Sequence, residues 1–249
     1  MAKAHGTHTD AGGGSRPQKT ATLNVFRYAP SQNSPPRYQT YQVPVLGGMT
    51  VLDALIYIKQ HMDHSLSMRH SCRMAACGSC GMKINGVAAL ACYTQLGELK
   101  GGVIKVEPLD NYPIVKDLVV DFGDFFRLHR RIKPFIIRED KSEQLNPTIE
   151  YRQTKEDVEK YLQFSYCIKC GLCTSTCPTV ATDGLFPGPQ ALAQAYRYTV
   201  DSRDGGAFAR LQVVDNLHGV WRCHFAGSCS AVCPKGVDPA LGIQLLRRI

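Results

Sequence analysis

The sequence predicts an α+β fold in two parts, strands around a single helix followed by a wholly helical half. Three observations carry this. Residues 22 to 106 hold alternating apolar and polar runs, interrupted by one capped helical stripe. Beyond Ser142 the alternation is gone and the periodicity is helical. Between them, residues 107–140 are punctuated by Pro108, Pro113 and Pro134 and read as a bridge. The expected divisions are a disordered tail at 1–20, a first domain at 21–122 and a second at 123–249.

The tail is rich in Gly, His, Thr, Ser and Lys and has almost nothing to bury. Its His5 and His8 read as solvated. Thr22 to Tyr28 and Tyr38 to Val45 alternate and read as strands, joined by a loop holding Pro30, Pro35 and Pro36. Thr50 is a good N-cap with Asp53 three residues on, and Val51, Leu52, Leu55, Ile56 and Ile58 form the buried stripe of the helix it starts. Met82 to Ile84 and Val87 to Ala91 flank Asn85-Gly86, a two-residue hairpin signal. Val103 to Val106 is a further strand. In the bridge, the basic run Arg127 to Lys133 reads as a solvated helix face. Thr154 to Gln163, Pro189 to Thr199 and Asp238 to Arg248 read as helices, each with a capping residue or proline at its start.

The 249 residues are 44% hydrophobic and 20% charged, enough to fill a core. A net charge of +8 suits an acidic partner or anionic headgroups, and the absence of interleaved aromatic and basic residues argues against nucleic acid. The longest apolar runs, such as Val87 to Cys92, are too short to span a bilayer. No apolar signal core or paired arginines mark the N-terminus, so a cytosolic protein is expected. Gly12-Gly13-Gly14 lies in a polar tail rather than after a strand, so it is no dinucleotide motif.

Eleven cysteines cannot all pair internally, and their C-x-x-C groups read as metal ligands in a reducing compartment. Cys72, Cys77 and Cys80 form C-x4-C-x2-C, with Cys92 following beyond the hairpin. This is the spacing of plant-type 2Fe–2S ferredoxins. Two bridged irons need four thiolates, and the small residues Ala75, Ala76, Gly78, Ser79 and Gly81 let backbone N–H groups approach the sulfurs. A zinc site is the alternative, but zinc usually takes two short knuckles. The first domain is thus expected to be a β-grasp, plant-type 2Fe–2S ferredoxin domain.

Cys167, Cys170, Cys173 and Cys177 form C-x2-C-x2-C-x3-C before Pro178, the bacterial two-cluster ferredoxin run, whose fourth cysteine serves the other cluster. A second run exists in Cys223, Cys229 and Cys233, before Pro234. Aligned on the first, it carries Ala226 at the second ligand place. Cross-ligation then gives Cys167, Cys170, Cys173 and Cys233 to a 4Fe–4S cluster. Cys177, Cys223 and Cys229 remain, three ligands that suit a 3Fe–4S cluster. The alternative is a 4Fe–4S cluster with water or another side chain on its fourth iron. The second domain is therefore expected to be an all-α, bacterial-ferredoxin-like domain holding two clusters.

With these sets in this order, the chain resembles the iron–sulfur subunit of succinate dehydrogenase and fumarate reductase over residues 22–249. The resemblance rests on residues 71–92 (SCRMAACGSCGMKINGVAALAC), 108–122 (PLDNYPIVKDLVVDF), 167–178 (CIKCGLCTSTCP) and 223–239 (CHFAGSCSAVCPKGVDP). It implies an electron relay between the FAD of a separate flavoprotein subunit and a membrane quinone. The first domain would face the flavoprotein. The second would face a membrane anchor, holding the subunit on the cytoplasmic side of the membrane. It further implies that Pro178, Thr179 and His224 lie near the quinone; the other reading of His224 is a cluster-shell hydrogen-bond donor. Many ubiquinone-reactive members carry a tryptophan shortly after the Cys-Pro. Here the stretch reads Thr179-Val180-Ala181-Thr182, which leans toward a menaquinone-type or otherwise altered site. The single tryptophan, Trp221, reads as a core or interface packing residue.

Three other classes compete. A free electron carrier would not need the basic bridge or three clusters. The iron–sulfur subunit of another flavoenzyme, of the heterodisulfide-reductase or thiol-dependent fumarate reductase kind, often has adjacent cysteines, and no Cys-Cys pair occurs here. A zinc-binding interaction protein would be colourless and free of acid-labile sulfide.

Overall fold

The structure, a computed structural model, describes residues 19–30 and 33–249. The expected disordered tail, with His5 and His8, falls for its first 18 residues outside the described residues. The first half is built on β1 (Thr20–Ala29), β2 (Ser34–Pro44), helix α1 (Val51–His61), β3 (Gly81–Ile84), β4 (Val87–Leu90) and β5 (Val103–Glu107). The strands form one sheet in the order β2-β1-β5-β3-β4, with β1 and β5 parallel and the other neighbours antiparallel. The helix supplies Val51, Leu52, Leu55 and Ile58 to the core beside Leu23, Val25, Val43 and Val106 of the sheet.

The helix start follows the sequence. Asp53 N–H donates to Thr50 Oγ1 (3.2 Å) and Thr50 N–H donates to the Asp53 carboxylate (3.0 Å), a reciprocal capping box. Ile56 is only partly buried, and Ala54 takes the place on the stripe that was expected of it. At the hairpin Asn85 and Gly86 both take positive φ (47° and 83°), the pair of conformations a type I′ turn needs.

Two expectations about the strands are corrected. β1 begins at Thr20, before the alternation is clear, and Pro35 and Pro36 lie inside β2 rather than in the connecting loop. β2 is the sheet edge, where a residue without an N–H leaves no ladder bond unmade. The bridge is also more ordered than its prolines indicate. It holds β6 (Ile114–Lys116) and β7 (Val119–Val120), an antiparallel ribbon; Val120 of β7, Leu118 of the turn and the preceding Leu109 enter the first core.

β1 carries an arginine on its buried face. Arg27 Nε donates to Asp117 (3.1 Å), and its other nitrogens donate to Tyr41 Oη (2.7 Å), Ser65 Oγ (2.8 Å) and the Asp63 carboxylate. Asp117 also accepts from Tyr28 N–H (2.9 Å) and Ser67 N–H (2.9 Å). One knot of charge therefore pins β1, the β6–β7 turn and residues 63–67, which lead into the first cysteine loop.

Helix α2 (Gly123–Arg131) crosses from the bridge to the second half. Arg127, Arg130, Arg131 and Lys133 are exposed, as the solvated-face reading expects, but His129 and Ile132 in the same run are buried. The second half comprises α3 (Lys141–Leu145), α4 (Lys155–Glu159), α5 (Leu162–Ser165), α6 (Leu172–Ser175), α7 (Pro178–Thr182), α8 (Gly188–Thr199), α9 (Ala207–Val214), α10 (Ser228–Ala231) and α11 (Pro239–Leu246). The helix expected over 154–163 is split into α4 and α5. Thr154 caps it, with Asp157 N–H donating to its hydroxyl (3.1 Å), but the chain turns at Lys160–Tyr161. That turn lets Tyr161 and Phe164 both bury, Phe164 edge-on to Tyr196 of α8 (ring centroids 5.1 Å). α8 packs against α11 at the centre of the second core, which runs from Ile132 to Leu246.

Side chains of the bridge tie the halves together. Asn111 Nδ2 donates to the carbonyls of Thr174, Ser175 and Cys177 (3.0, 2.9 and 3.2 Å), and Tyr112 Oη donates to that of Gly171 (3.0 Å). Among the described residues no helix is long and apolar enough to cross a membrane.

Candidate iron–sulfur sites

The first cysteine loop leaves α1 and returns at β3, wound so that its amides point inward. Met74, Ala76 and Cys77 N–H groups reach Cys72 Sγ at 3.4, 3.3 and 3.2 Å. Ala75 N–H reaches Cys92 Sγ at 3.3 Å, and the N–H groups of Cys72 and Ser79 each reach Cys77 Sγ at 3.5 Å. Arg73 and Ala75 sit in the left-handed region (φ 59° and 56°), a strained conformation that turns these amides toward the sulfurs. Cys92 lies in a single helical turn directly after β4, where Ala91 N–H donates to Cys80 O (3.0 Å) and sets the last two cysteines side by side.

The four thiols differ in environment. Cys77 is exposed, and hydrogen bonds from Ser79 and from the Cys72 and Ser79 amides lower its pKa to about 6. Cys80 is buried, and burial pushes its pKa up to about 12. A cluster that spreads negative charge over four sulfurs fits this loop. The amides supply the compensating dipoles, and the apolar side lies under Cys80 and Cys92.

The two runs of the second half share one backbone. Lys169 and Phe225 occupy the left-handed region (φ 54° and 55°), followed after one residue by Gly171 and Gly227 (φ 80° and 75°). One-turn helices then follow, α6 and α10. In this correspondence Ala226 stands where Cys170 stands.

Each run's first cysteines gather with the last cysteine of the other run. Cys167, Cys170, Cys173 and Cys233 line one apolar cavity between α8 and the two runs. Cys177, Cys223 and Cys229 line a second, together with Pro178, Thr179, His224 and Ala226. Electrostatics report the same grouping. Burial raises the pKa of Cys170 to about 11, with Cys167 and Cys233 adding to it. Burial raises that of Cys229, with Cys177 and Cys223 adding. The sulfurs are spread round these cavities. Among the described residues no group of three or more His, Cys, Asp or Glu stands close enough to hold a single ion.

The first set adjoins the second, and the second adjoins the third. A β-carbon on Gly78, between Cys77 and Cys80, would lie 2.9 Å from Cys170 Cβ, so the first loop touches the second set. Cys173 and Cys229 lie within electrostatic reach, which links the second set to the third.

Beside the third set, Thr179 is buried, while Pro178 and His224 are exposed. Trp221 is not a core residue. It is 55% exposed, its indole N–H donates to Asp215 (2.7 Å), and the Arg247 guanidinium stands 5.6 Å from its ring. Phe225 beside His224 is also exposed. Sequence reasoning did not single out Gln190 of α8, which lines the cavity of the second set, or Asn111, which grips the chain before Pro178. Neither carries a spacing signal. Only the packing of distant segments shows them.

Residues 22–127 match a family described as a 2Fe-2S iron-sulfur cluster binding domain, and residues 163–237 one described as a 4Fe-4S dicluster domain. The chain is 47% identical over 225 residues to the fumarate reductase iron-sulfur subunit of Mycobacterium tuberculosis, covering 89% of each. It is 46% identical over 226 residues to that of Escherichia coli O6:H1, covering 91% of each. Identity to the succinate dehydrogenase iron-sulfur subunit of Paracoccus denitrificans is 39% over 229 residues, covering 91% of this chain and 86% of the relative. A chain of the Mycobacterium smegmatis Sdh1 complex superposes with a TM-score of 0.82 at 28% identity, covering 93% of this chain and 96% of that one. Two cluster-binding modules in one chain, matched nearly end to end by these relatives, place it in a family: the chain belongs to the iron–sulfur subunits of fumarate reductase and succinate dehydrogenase, the electron-transfer subunits of the succinate:quinone and quinol:fumarate oxidoreductases.

Proposed function

We propose that Cys72, Cys77, Cys80 and Cys92 hold a 2Fe–2S cluster, that Cys167, Cys170, Cys173 and Cys233 hold a 4Fe–4S cluster, and that Cys177, Cys223 and Cys229 hold a 3Fe–4S cluster. When bound, such clusters supply one-electron steps that couple a two-electron flavin to a two-electron quinone. The observation that carries this reading is the shared backbone of the two runs, in which Ala226 replaces Cys170 and leaves the second cavity with three sulfurs.

The remaining work falls to the chain itself. Amides of residues 72–79 aim at Cys72, Cys77 and Cys92 and offset charge on those sulfurs. Apolar walls around Cys167, Cys170, Cys173 and Cys233 exclude water. Gly78 lets the first loop lie against Cys170, which shortens the gap that an electron crosses.

The first domain, residues 21–122, faces an FAD-containing flavoprotein subunit; Met74 and Tyr93, both exposed beside the first set, supply apolar contact there. The second domain, residues 123–249, faces a membrane anchor on the cytoplasmic side of the membrane; exposed Trp221 and Phe225 beside the third set suit that contact. Pro178, Thr179 and His224 line the second cavity and form the chain's share of the quinone site. The stretch 179–182, without tryptophan, favours a menaquinone-type quinone. Greater identity to the fumarate reductase subunits supports, as a second reading, quinol-driven reduction of fumarate.

The complex purified with its partner subunits tests the assignment. About nine irons and about ten acid-labile sulfides per chain are expected. The air-oxidised protein should give the electron paramagnetic resonance of a 3Fe–4S cluster. A preparation with every cluster intact and no such signal overturns the three-ligand reading. Zinc without sulfide overturns the whole assignment.

A further inference from the structure

We infer that Gln190, held by His129, is a positioning residue for the second cysteine set, its side-chain amide donating to Cys167 Sγ and raising the reduction potential of the group bound there. The inference rests on the ligand set proposed for Cys167, Cys170, Cys173 and Cys233.

Gln190 projects from the first turn of α8 and is 3% exposed, and it lines the cavity shared by the four cysteines. Its Nε2 lies 3.2 Å from His129 Nδ1, and its side chain borders Cys167 in that cavity, near enough to act on the thiol. Its Oε1 is buried with no partner. A glutamine amide has two N–H donors on one nitrogen. One directed to His129 and one to Cys167 account for both contacts and leave the oxygen bare. The opposite orientation would aim a carbonyl oxygen at a sulfur that carries negative charge, which is repulsive.

His129 is suited to hold this geometry. It is buried on α2, and burial, with the nearby Lys169 charge, lowers its pKa to about 4, so the ring is neutral near pH 7 and in its Nε2–H tautomer Nδ1 accepts. The neighbouring Gln194 lines the same cavity but turns its amide toward the backbone of α5. Its Nε2 donates to Phe164 O at 2.8 Å. A donor to a cluster sulfur stabilises the more negative, reduced state and raises the potential. An orphaned carbonyl oxygen in a tightly packed helix is a cost without return unless the amide's other end is needed.

The test is redox potentiometry of the assembled complex, followed by electron paramagnetic resonance of the 4Fe–4S cluster, with iron content measured on each variant. Gln190→Leu should retain iron and lower the midpoint potential; a tenfold change in the reduction equilibrium corresponds to about 59 mV for one electron. His129→Leu should shift it the same way by less. Electron–nuclear double resonance of the reduced wild type should show an exchangeable proton coupled to the cluster, lost in Gln190→Leu. An unchanged potential with full iron overturns the inference. If Gln190→Leu does not keep its cluster, Gln190→Glu carries the test: the carboxylate should lower the potential, and a wild-type value overturns the inference. Cys167→Ser, measured alongside, separates the two levels. If it leaves the 4Fe–4S signal unaltered, the ligand assignment fails. If it alters the signal while the Gln190 variants do not, only the role of Gln190 fails.

Discussion

Gly78 stands against Cys170 with no room for a side chain between them: a β-carbon on Gly78 would fall 2.9 Å from Cys170 Cβ and 3.1 Å from Ile168 O. Gly78 also sits at φ +74°, so alanine there meets two penalties, a left-handed backbone and a steric overlap. Gly78→Ala should destabilise the protein by about 2–4 kcal/mol and push the first loop away from the second run. Electron transfer from the first set to the second should slow, read by rapid freeze-quench electron paramagnetic resonance. Gly86→Ala is the control. Its φ of +83° imposes the same backbone cost, but nothing lies within 4 Å of the added carbon. Equal slowing in both variants would show that loop stability, not the close approach, sets the rate.

The Arg27 knot predicts a pH signature as well as a loss of stability. Burial alone would raise the Asp63 pKa, but hydrogen bonds from Ser65, Tyr41 and Arg27 outweigh it and hold the carboxylate well below its usual range. A folded pKa below the unfolded value of about 3.9 stabilises the protein fully above that value and loses the benefit as pH falls beneath it. Asp63→Asn should therefore lower the melting temperature by a constant amount from pH 8 to pH 5. A gap that closes within that window would mean that another group is responsible. Arg27→Met, which strands Asp117 in the core, should cost more, about 3–5 kcal/mol, measured by denaturant unfolding.

The first half was readable because its signals are local. The Thr50–Asp53 capping box, the Asn85-Gly86 turn and the alternation of β1 each state their geometry within a few residues. The strands at 114–120 were missed because a ribbon of three and two residues is too short for alternation to register, and it is held by Leu109, Leu118 and Val120 packing on distant residues. The break at Lys160–Tyr161 was missed for a related reason: it answers to the burial of Phe164 against Tyr196, not to any breaker residue. Cysteine spacing states which thiols one loop can present, while the two cavities are each lined by thiols from both runs. It could not carry the contact between Gly78 and Cys170, or the place of Gln190 on the cavity of the second set, because these join segments far apart in sequence.

His224 and Thr179 lie on the same cavity, but one is exposed and the other buried, so their substitutions should differ in kind. His224→Ala opens no core. It should leave the iron content unchanged and reduce quinone turnover, with electron delivery to an artificial acceptor at the flavin intact. Thr179→Val exchanges a hydroxyl for a methyl at a site that is 2% exposed, so it should shift stability as well as quinone affinity. Steady-state kinetics with a water-soluble menaquinone analogue would separate them. A His224→Ala complex with normal quinone turnover would leave that residue outside the quinone site.

Ala226 offers the sharpest test, because the backbone around it is already that of a cysteine ligand. Phe225 and Gly227 repeat the conformations of Lys169 and Gly171, so a thiol placed at residue 226 would leave the backbone in the direction that Cys170 Sγ does. Ala226 is exposed, so the larger side chain displaces no packing and should cost less than about 0.5 kcal/mol in stability. Ala226→Cys should raise the iron content by about one per chain and remove the 3Fe–4S signal of the oxidised protein. It should also lower the midpoint potential of that site, since a fourth thiolate adds negative charge beside the sulfides. Quinone turnover should fall with the potential, while the first two sets keep their spectra. Ala226→Ser, with a harder and weaker ligand atom, should convert the site only in part. A 3Fe–4S signal that survives unchanged in Ala226→Cys would mean that residue 226 does not face the open corner, and the correspondence between the two runs would have to be redrawn.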